Sequence, residues 1–182
     1  VATRLVPEHK RQDMYKFIEG QAKAGQQAYI VCPLVEGSDS MDDVQSAVEL
    51  YEELKKRLSV PVGLLHGQMS NAAKEKAAEA FRRGETGVLV ATTVIEVGVD
   101  VPNATIMAIE NADRFGLAQL HQLRGRVGRG DKRSYCFLLS GDSSEAARQR
   151  LSTLVKTNSG FEIAETDLMM RGPGEFLGKK QH

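Results

Sequence analysis

Short apolar runs alternate with segments of helical periodicity along most of the chain. The runs contain many β-branched residues and do not alternate with polar residues, which is typical of strands buried on both faces of a parallel sheet. They lie at residues 28–34, 62–66, 87–91, 105–109 and 135–139. Because helical segments separate these runs, the sequence predicts an α/β fold, in which a parallel sheet carries helices on both faces.

Capping residues and apolar spacing predict where the helices begin. Pro7 suits the first position of a helix, and Ser40 with Asp43 resembles a capping box. Ser70 is a predicted N-cap for a helix over residues 71–83. Two more helices are predicted, one over residues 117–123 and one that is capped by Ser143 or Ser144 and extends through residue 155.

The final part of the chain follows a different pattern. A helix there is followed by a polar joint at residues 157–160, a second helical segment at 161–170 and a tail rich in Gly and Pro. We therefore expect a sheet domain over residues 1–140 and a helical hairpin with a loop over residues 141–182. Because the chain starts at Val1 rather than Met, we also expect it to be a fragment of a longer protein.

Composition narrows the class of protein. The 182 residues include 24 Lys and Arg and 24 Asp and Glu, and 41% are hydrophobic, so the net charge is zero and a folded core is expected. The first thirty residues lack the charged start and apolar stretch of a signal peptide, and the sequence has no apolar run of about 18 residues, so we expect no transmembrane helix. Cys32 and Cys136 lie in apolar runs without metal-ligand spacing, so we expect buried reduced thiols and no metal site.

Candidate chemistry first appears directly after the apolar run at residues 87–91. Thr92 offers a hydroxyl, Gly98 permits close approach of the backbone, and Asp100 can accept hydrogen bonds from a sugar hydroxyl. Ligands of open α/β sheets bind at the carboxyl ends of the strands, which is where this segment lies. A capped turn without a ligand is the alternative that this segment alone leaves open.

A second candidate is the positive charge at residues 124–133, which we call the basic run. It contains Arg124, Arg126, Arg129, Lys132 and Arg133 against one acidic residue. Arginines separated by glycines suit a bidentate grip on phosphate, although a solvated basic loop has the same composition. No G-x-x-x-x-G-K-[ST] loop occurs in the chain. This combination predicts arginines that complete an ATP site formed on another domain and stabilise charge during phosphoryl transfer.

These segments resemble motifs of the superfamily 2 helicases. The string VLVATTVIEVGVDVPNA at residues 88–104 is similar to motif V, and QLRGRVGR at 122–129 is similar to motif VI. The strings PEHKR at 7–11 and GFEIAETDLMMRGPGEFLGKKQ at 160–181 are similar to the bacterial members that act on branched DNA. The resemblance therefore extends over nearly the whole chain.

The resemblance implies a RecA-like fold and a role in ATP hydrolysis. The chain would be the second of two motor domains, and ATP with Mg²⁺ would bind mainly to the first domain, which this sequence lacks. Gln122, Arg126 and Arg129 would reach the γ-phosphate, while Gly98 and Asp100 would approach the nucleotide near its ribose.

The resemblance also implies contacts with DNA. Thr92 would contact the DNA backbone, Arg150 in the hairpin and Gln181 in the loop would serve translocation, and Arg171 lies beside a Gly-Pro-Gly bend. The implied function is that of a helicase in recombination and repair, which acts with its own first RecA-like domain on forked or branched DNA. Its implied location is the bacterial cytoplasm, in association with the nucleoid.

Two alternatives stay open at this point. Related translocases that couple transcription to repair contain the same motor, and a nucleic-acid-binding module without ATP would need only the basic run. Gly98 and Asp100 weigh against such a module, because phosphate binding alone does not require them. A small-molecule enzyme is disfavoured, because the sequence contains no nucleophile–base signature.

Overall fold

A six-stranded sheet forms the centre of the molecule. The computed structural model describes residues 1–34, 40–92, 101–128, 130–157 and residue 163. The strands are β1 (Ala2–Leu5), β2 (Gln27–Val31), β3 (Val62–Leu65), β4 (Val88–Ala91), β5 (Ala104–Ile109) and β6 (Tyr135–Leu138). They pair in parallel in the order β1-β6-β5-β2-β4-β3. The five predicted strands are confirmed, and β1 is an addition that the apolar pattern did not predict.

The described part of the chain contains five α-helices, of which the first four lie between strands and the fifth follows β6. They are α1 (Arg11–Lys23), α2 (Ser40–Arg57), α3 (Asn71–Arg82), α4 (Leu117–Arg124) and α5 (Glu145–Lys156), with short 3-10 helices at Glu8–Lys10 and Ala112–Arg114. The predicted cap of α3 is confirmed, since the Ser70 hydroxyl accepts a hydrogen bond from the Ala73 amide at 3.1 Å. Of the two serines proposed for α5, Ser144 is the cap.

Two predicted helix starts differ from the structure. The first helix begins at Arg11 rather than near Pro7, because a separate 3-10 turn precedes it. Helix α2 includes Ser40 as its first residue, so Ser40 does not precede the helix as predicted. The Asp43 carboxylate instead accepts two hydrogen bonds from Arg114, at 3.0 and 3.1 Å.

The helices cover both faces of the sheet, as predicted. Helices α1 and α2 bury Ile18 and Leu54 on one face. Helices α3, α4 and α5 bury Phe81, Leu120 and Leu151 on the other. Successive side chains of the strands point to opposite faces and complete the two apolar layers, which is why the strands are apolar throughout.

The predicted hairpin begins with α5, which packs on β1. Its Leu151 and Leu154 lie in the same apolar layer as α3 and α4. Ile163 is helical, buried and part of that layer, whereas the rest of the predicted second helix and the tail lie outside the described residues. The division into a sheet domain and a hairpin with a loop therefore stays a prediction.

The two cysteines are buried free thiols, as the sequence predicts. Burial raises the pKa of Cys32 and of Cys136 to about 12, because the thiolate would lose its hydration in the core. Among the helices of the described ranges, none has the length and apolar character that crossing a membrane requires.

The sheet order defines one crevice at its carboxyl edge. After β2 the chain passes through α2 to β3 on one side, and after β5 it passes through α4 to β6 on the other side. Because the two connections diverge, a crevice opens between the carboxyl ends of β2 and β5, where open α/β sheets bind ligands. Arg11, Asp43, Glu110 and Arg114 line this crevice.

Candidate nucleotide and nucleic-acid site

Two of the predicted phosphate-binding residues lie at the end of α4. The Gln122 side chain is exposed, and Arg126 is half-buried just beyond the last turn of the helix. Within the ranges that the structure describes, neither side chain has a hydrogen bond or an ion pair with another residue. An arginine without a carboxylate partner retains its full hydrogen-bonding capacity for an anionic ligand.

The turn after Arg126 requires glycine. Gly128 has a φ of +86°, a backbone conformation that side-chain-bearing residues rarely adopt. A Cβ at this position would also collide with the Val1 side chain. The glycine therefore lets the chain turn back toward β6 directly after the arginine. Arg129 lies outside the described residues.

Arg124 does not belong to the phosphate-binding patch, which corrects the prediction. Its residue is only 3% exposed. Its guanidinium donates hydrogen bonds to the carbonyls of Leu154 and Thr157, at 2.5 and 2.9 Å, and to the Thr3 hydroxyl at 3.3 Å. Burial lowers its pKa, since the charge is poorly hydrated there. Arg124 thus joins the end of α4 to the end of α5.

Two other cations of the basic run also have protein partners. Lys132 donates a hydrogen bond to the Asn103 side-chain oxygen at 3.0 Å, and the Arg133 guanidinium lies over the Tyr135 ring, 5.7 Å from its centroid. Both residues are exposed, so these contacts leave their charges at the surface. The basic run is therefore not one uniform positive patch, because some of its cations are buried or bound to protein groups and others are exposed.

Thr92 lies at the carboxyl end of β4, beside the end of β3. Its amide donates to the Leu65 carbonyl at 3.1 Å, and the residue is 5% exposed. The buried Thr92 hydroxyl has no hydrogen-bond partner among the described residues. Its predicted contact with DNA stays a prediction. Gly98 and Asp100, the residues predicted to approach the nucleotide, lie outside the described residues.

Two helices begin at the same edge of the sheet. The turn after β3 contacts the first turn of α2, where the Gln68 side-chain amide donates to the Met41 sulfur at 3.0 Å. Helix α3 starts directly after this turn and has no acidic residue in its first turn. His66 shapes the turn, because its Nδ1 accepts a hydrogen bond from the Gln68 amide at 3.2 Å, and partial burial lowers its pKa. Exposed backbone amides at helix starts attract anions.

The loop before α4, residues 110–116, is tied to its surroundings at many points, and we call it the anchored loop. Arg150 of α5 donates hydrogen bonds to the backbone carbonyls of Asp113, at 3.4 Å, and Phe115. The Gly141 amide donates to the Asp113 carboxylate at 2.7 Å. The structure thus positions Arg150 against this loop, and its predicted role in translocation stays a prediction. Arg171 and Gln181 lie outside the described residues.

Sequence reasoning missed the charged residues that connect the anchored loop to α1. The Glu110 carboxylate accepts hydrogen bonds from Arg11 and from the Tyr15 hydroxyl, the latter at 2.8 Å. Burial, followed by the nearby Glu110 charge, raises the pKa of Tyr15 well above its usual range. An acidic residue directly after a fully apolar strand was the signal that could have pointed to this contact.

Comparison with known proteins gives the chain its family. The helicase conserved C-terminal domain model matches residues 9–131. The chain is 51% identical over its whole length to the ATP-dependent DNA helicase RecG of Synechocystis, and 52% identical to that of Thermotoga maritima. It spans 22% and 24% of those two relatives, so about three quarters of each has no counterpart here.

Solved structures agree with this assignment. A structure of RecG bound to a three-way DNA junction is 49% identical, with a TM-score of 0.79, and the match covers 96% of this chain and 23% of that one. Domain 2 of the DEAD-box helicase Mss116p, bound to an RNA duplex, matches 82% of this chain and 58% of that one, with a TM-score of 0.64. At 20% identity the second likeness shows the fold alone. The chain has the RecA-like fold of helicase C-terminal domains, resembles RecG over its full length, and belongs to the helicase conserved C-terminal domain family.

Proposed function

We propose that this chain is the second RecA-like motor domain of an ATP-dependent DNA helicase that acts on forked or branched DNA in recombination and repair. One observation carries the proposal: the chain is similar over 96% of its length to a RecG that was solved on a three-way DNA junction. Since the chain spans about a quarter of such relatives, the first motor domain belongs to the remainder of the same polypeptide.

In this proposal the chain completes an ATP site on the first domain. Arg126, Arg129 and Gln122 approach the γ-phosphate and stabilise the charge that develops during phosphoryl transfer. The half-buried Arg126 supports this role, since its guanidinium has no carboxylate partner among the described residues. Gly98 and Asp100 contact the nucleotide on its ribose side.

The first domain supplies the phosphate-binding loop and the ligands for Mg²⁺. This chain contains no such loop, and within its described ranges no three His, Cys, Asp or Glu side chains converge as a metal site requires. Arginine is the residue type that suits the remaining task, because its planar guanidinium donates several hydrogen bonds and stays charged. ATP with Mg²⁺ therefore lies in the cleft between the two domains.

DNA follows the edge of the sheet where β3 and β4 end. Thr92 lies at this edge, and α3 begins there with a serine cap and no acidic residue in its first turn. Helix starts of this kind favour phosphate groups over bases, which suits a motor that moves along DNA of any sequence. Closure of the cleft moves the hairpin and the loop, and these move the DNA. The residues that serve this translocation are Arg150, Arg171 and Gln181.

ATP turnover by the full-length polypeptide, with and without forked DNA, tests the proposal. We expect the fork to stimulate the wild type and the Arg57→Ala control, which loses an exposed ion pair to Glu53 within α2. Arg126→Ala should lose the stimulated turnover. If turnover survives Arg126→Ala, or if DNA has no effect on the wild type, the basic run binds nucleic acid without a role in hydrolysis.

The isolated chain provides a second test of the same proposal. It should not hydrolyse ATP, with or without forked DNA, because the phosphate-binding loop and the Mg²⁺ ligands belong to the first domain. Turnover by the pure chain that Arg126→Ala leaves unchanged would refute the assignment of this domain as half of a motor.

A further inference from the structure

An ion pair spans the crevice at the carboxyl edge of the sheet. Arg114 of the anchored loop donates two parallel hydrogen bonds to Asp43 of α2, with Nη1–Oδ1 at 3.0 Å and Nη2–Oδ2 at 3.1 Å. The Asp43 side chain is 10% exposed and that of Arg114 is 35% exposed. Both residues line a cleft of about 180 Å³, together with Glu110 and Asn111.

This pair differs from the exposed ion pairs within helices. Arg57–Glu53 and Arg83–Glu79 each join residues four apart in one helix, where the helix already fixes their separation. Arg114 and Asp43 are 71 residues apart and belong to connections that leave the crevice in opposite directions. A planar fork with two hydrogen bonds fixes orientation as well as distance.

The loop that holds Arg114 has several hydrogen bonds to neighbouring elements. Asn111 has a φ of 47° at the start of the short 3-10 helix, a left-handed conformation that asparagine adopts more readily than other side-chain-bearing residues. Here the Ala112 amide donates to the Leu139 carbonyl at 2.7 Å, and the Asp113 carboxylate accepts from Gly141. Arg114 therefore connects α2 to a loop that is also bonded to the segment after β6.

Each residue of the pair lies close in sequence to one of the two proposed functional regions, the DNA-facing edge and the ATP-facing helix α4. Asp43 lies in the first turn of α2, two residues after Met41, which contacts the turn before α3 at the edge where we place DNA. Arg114 lies three residues before Leu117, the first residue of α4, and α4 contains Gln122. A shift of α2 must therefore stretch the pair or displace the start of α4.

We propose that Arg114 and Asp43 are positioning residues that transmit DNA binding at the edge where β3 and β4 end, through α2, to the helix that contains Gln122. The inference rests on the proposed function, because it requires both a DNA-facing edge and an ATP-facing α4. Stability alone does not account for the pair, since the cost of removing the Asp43 carboxylate from water offsets much of its attraction to Arg114, and an uncharged contact of similar shape would stabilise the fold as well. Neither residue touches ATP or DNA in this scheme.

The test compares ATP turnover by the full-length polypeptide with saturating forked DNA and without DNA. In Arg114→Gln and in Asp43→Asn we expect the ratio of the two rates to fall about tenfold. The double variant should fall no further, because both changes remove the same pair. The rate without DNA and the DNA concentration for half-maximal stimulation should stay within about twofold of the wild type.

Two further variants separate positioning from folding. Arg57→Gln removes an exposed ion pair within α2 and should leave the ratio unchanged. The exchange of the two charges, Asp43→Arg with Arg114→Asp, should restore a large part of the stimulation, because the fork forms again in reverse.

The outcomes have distinct meanings. An unchanged ratio in Arg114→Gln overturns the inference. A parallel loss of both rates together with a lower melting temperature also overturns it, since the pair would then only support folding. If DNA does not stimulate the wild type, the proposed function fails and this inference fails with it.

Discussion

The anchored loop and the basic run flank the same short helix, yet they use their charges differently. In the anchored loop, Glu110 and Arg114 each find an opposite charge on a separate helix. In the basic run, Lys132 and Arg133 remain exposed, and Arg126 has no carboxylate partner among the described residues. One region connects the start of α4 to two other helices, and the other leaves cations at the surface, where we propose that they bind a ligand.

Arg124 and Arg126 are two residues apart but differ in burial, and their positions relative to α4 explain the difference. Leu117, Leu120 and Arg124 are spaced along α4 so that all three lie on its buried face. Arg126 follows two residues later, beyond the end of the helix, and escapes that face. The position of an arginine relative to the helix, rather than the local density of positive charge, decides whether its guanidinium is buried in the core or reaches the surface.

The largest expected effect is on activity and concerns Arg129, the residue of the basic run that we propose contacts ATP. In the full-length polypeptide, Arg129→Ala should lower DNA-stimulated ATP turnover about 10³-fold, as the loss of an arginine that stabilises phosphoryl transfer does. The measurement is steady-state ATP hydrolysis with saturating forked DNA. Near-normal turnover would show that Arg129 does not act in the ATP site. The basic run would then differ from the anchored loop in its contacts but not in its function.

The next effect is on stability and concerns the buried part of the basic run. Arg124→Ala should lower the free energy of unfolding by about 3 kcal/mol, because it leaves a cavity and strands the Leu154 and Thr157 carbonyls without their donor. Urea denaturation of the 182-residue chain measures the change. Arg126→Ala is the matched control and should stay within about 0.5 kcal/mol of the wild type. If both variants lost the same free energy of unfolding, Arg124 would support the fold no more than Arg126 does.

A smaller effect tests the rigidity of the anchored loop. Asn111→Ala should lower the free energy of unfolding by about 1 kcal/mol, because alanine tolerates a φ of 47° less well than asparagine does. Asn111→Gly should cost less than Asn111→Ala, since glycine adopts this conformation freely. Urea denaturation of both variants decides the order. The reverse order would mean that contacts of the side chain, and not the backbone, hold the loop.

The smallest effect concerns an exposed cation of the basic run. Lys132→Gln removes the charged hydrogen bond to Asn103 and should change the free energy of unfolding by less than about 0.5 kcal/mol. The same denaturation measurement applies, with Arg124→Ala as the contrasting variant. A loss comparable to that of Arg124→Ala would show that the exposed cations of the basic run also support the fold.

The sequence predicts the interior of the sheet better than its edge. Strands β2 to β6 form continuous or nearly continuous apolar runs, because both faces of the sheet are covered. Strand β1 escapes prediction because Thr3 and Arg4 interrupt it, and only its pairing with the distant β6 makes it a strand. Long-range pairing of this kind leaves no local pattern in the sequence.

The candidate site likewise has residues whose positions the sequence predicts and residues whose contacts it does not predict. The positions of Gln122 and Arg126 at the end of α4 follow from local motifs, and the structure agrees with them. The contact of Arg114 with Asp43 depends on a crevice that forms only when β2 and β5 become neighbours. The inward direction of Arg124, by contrast, could have been read from its spacing with Leu117 and Leu120.

The pairing of β1 with β6 also sets the order in which the chain can fold. Ala2 pairs with Tyr135, so β1 leaves the ribosome roughly ten seconds before its partner at ordinary rates of synthesis. Closing so long a segment is slow, which makes this edge of the sheet a late event in folding. During the delay, the charge of Arg4 makes the unpaired strand a poorer template for aggregation.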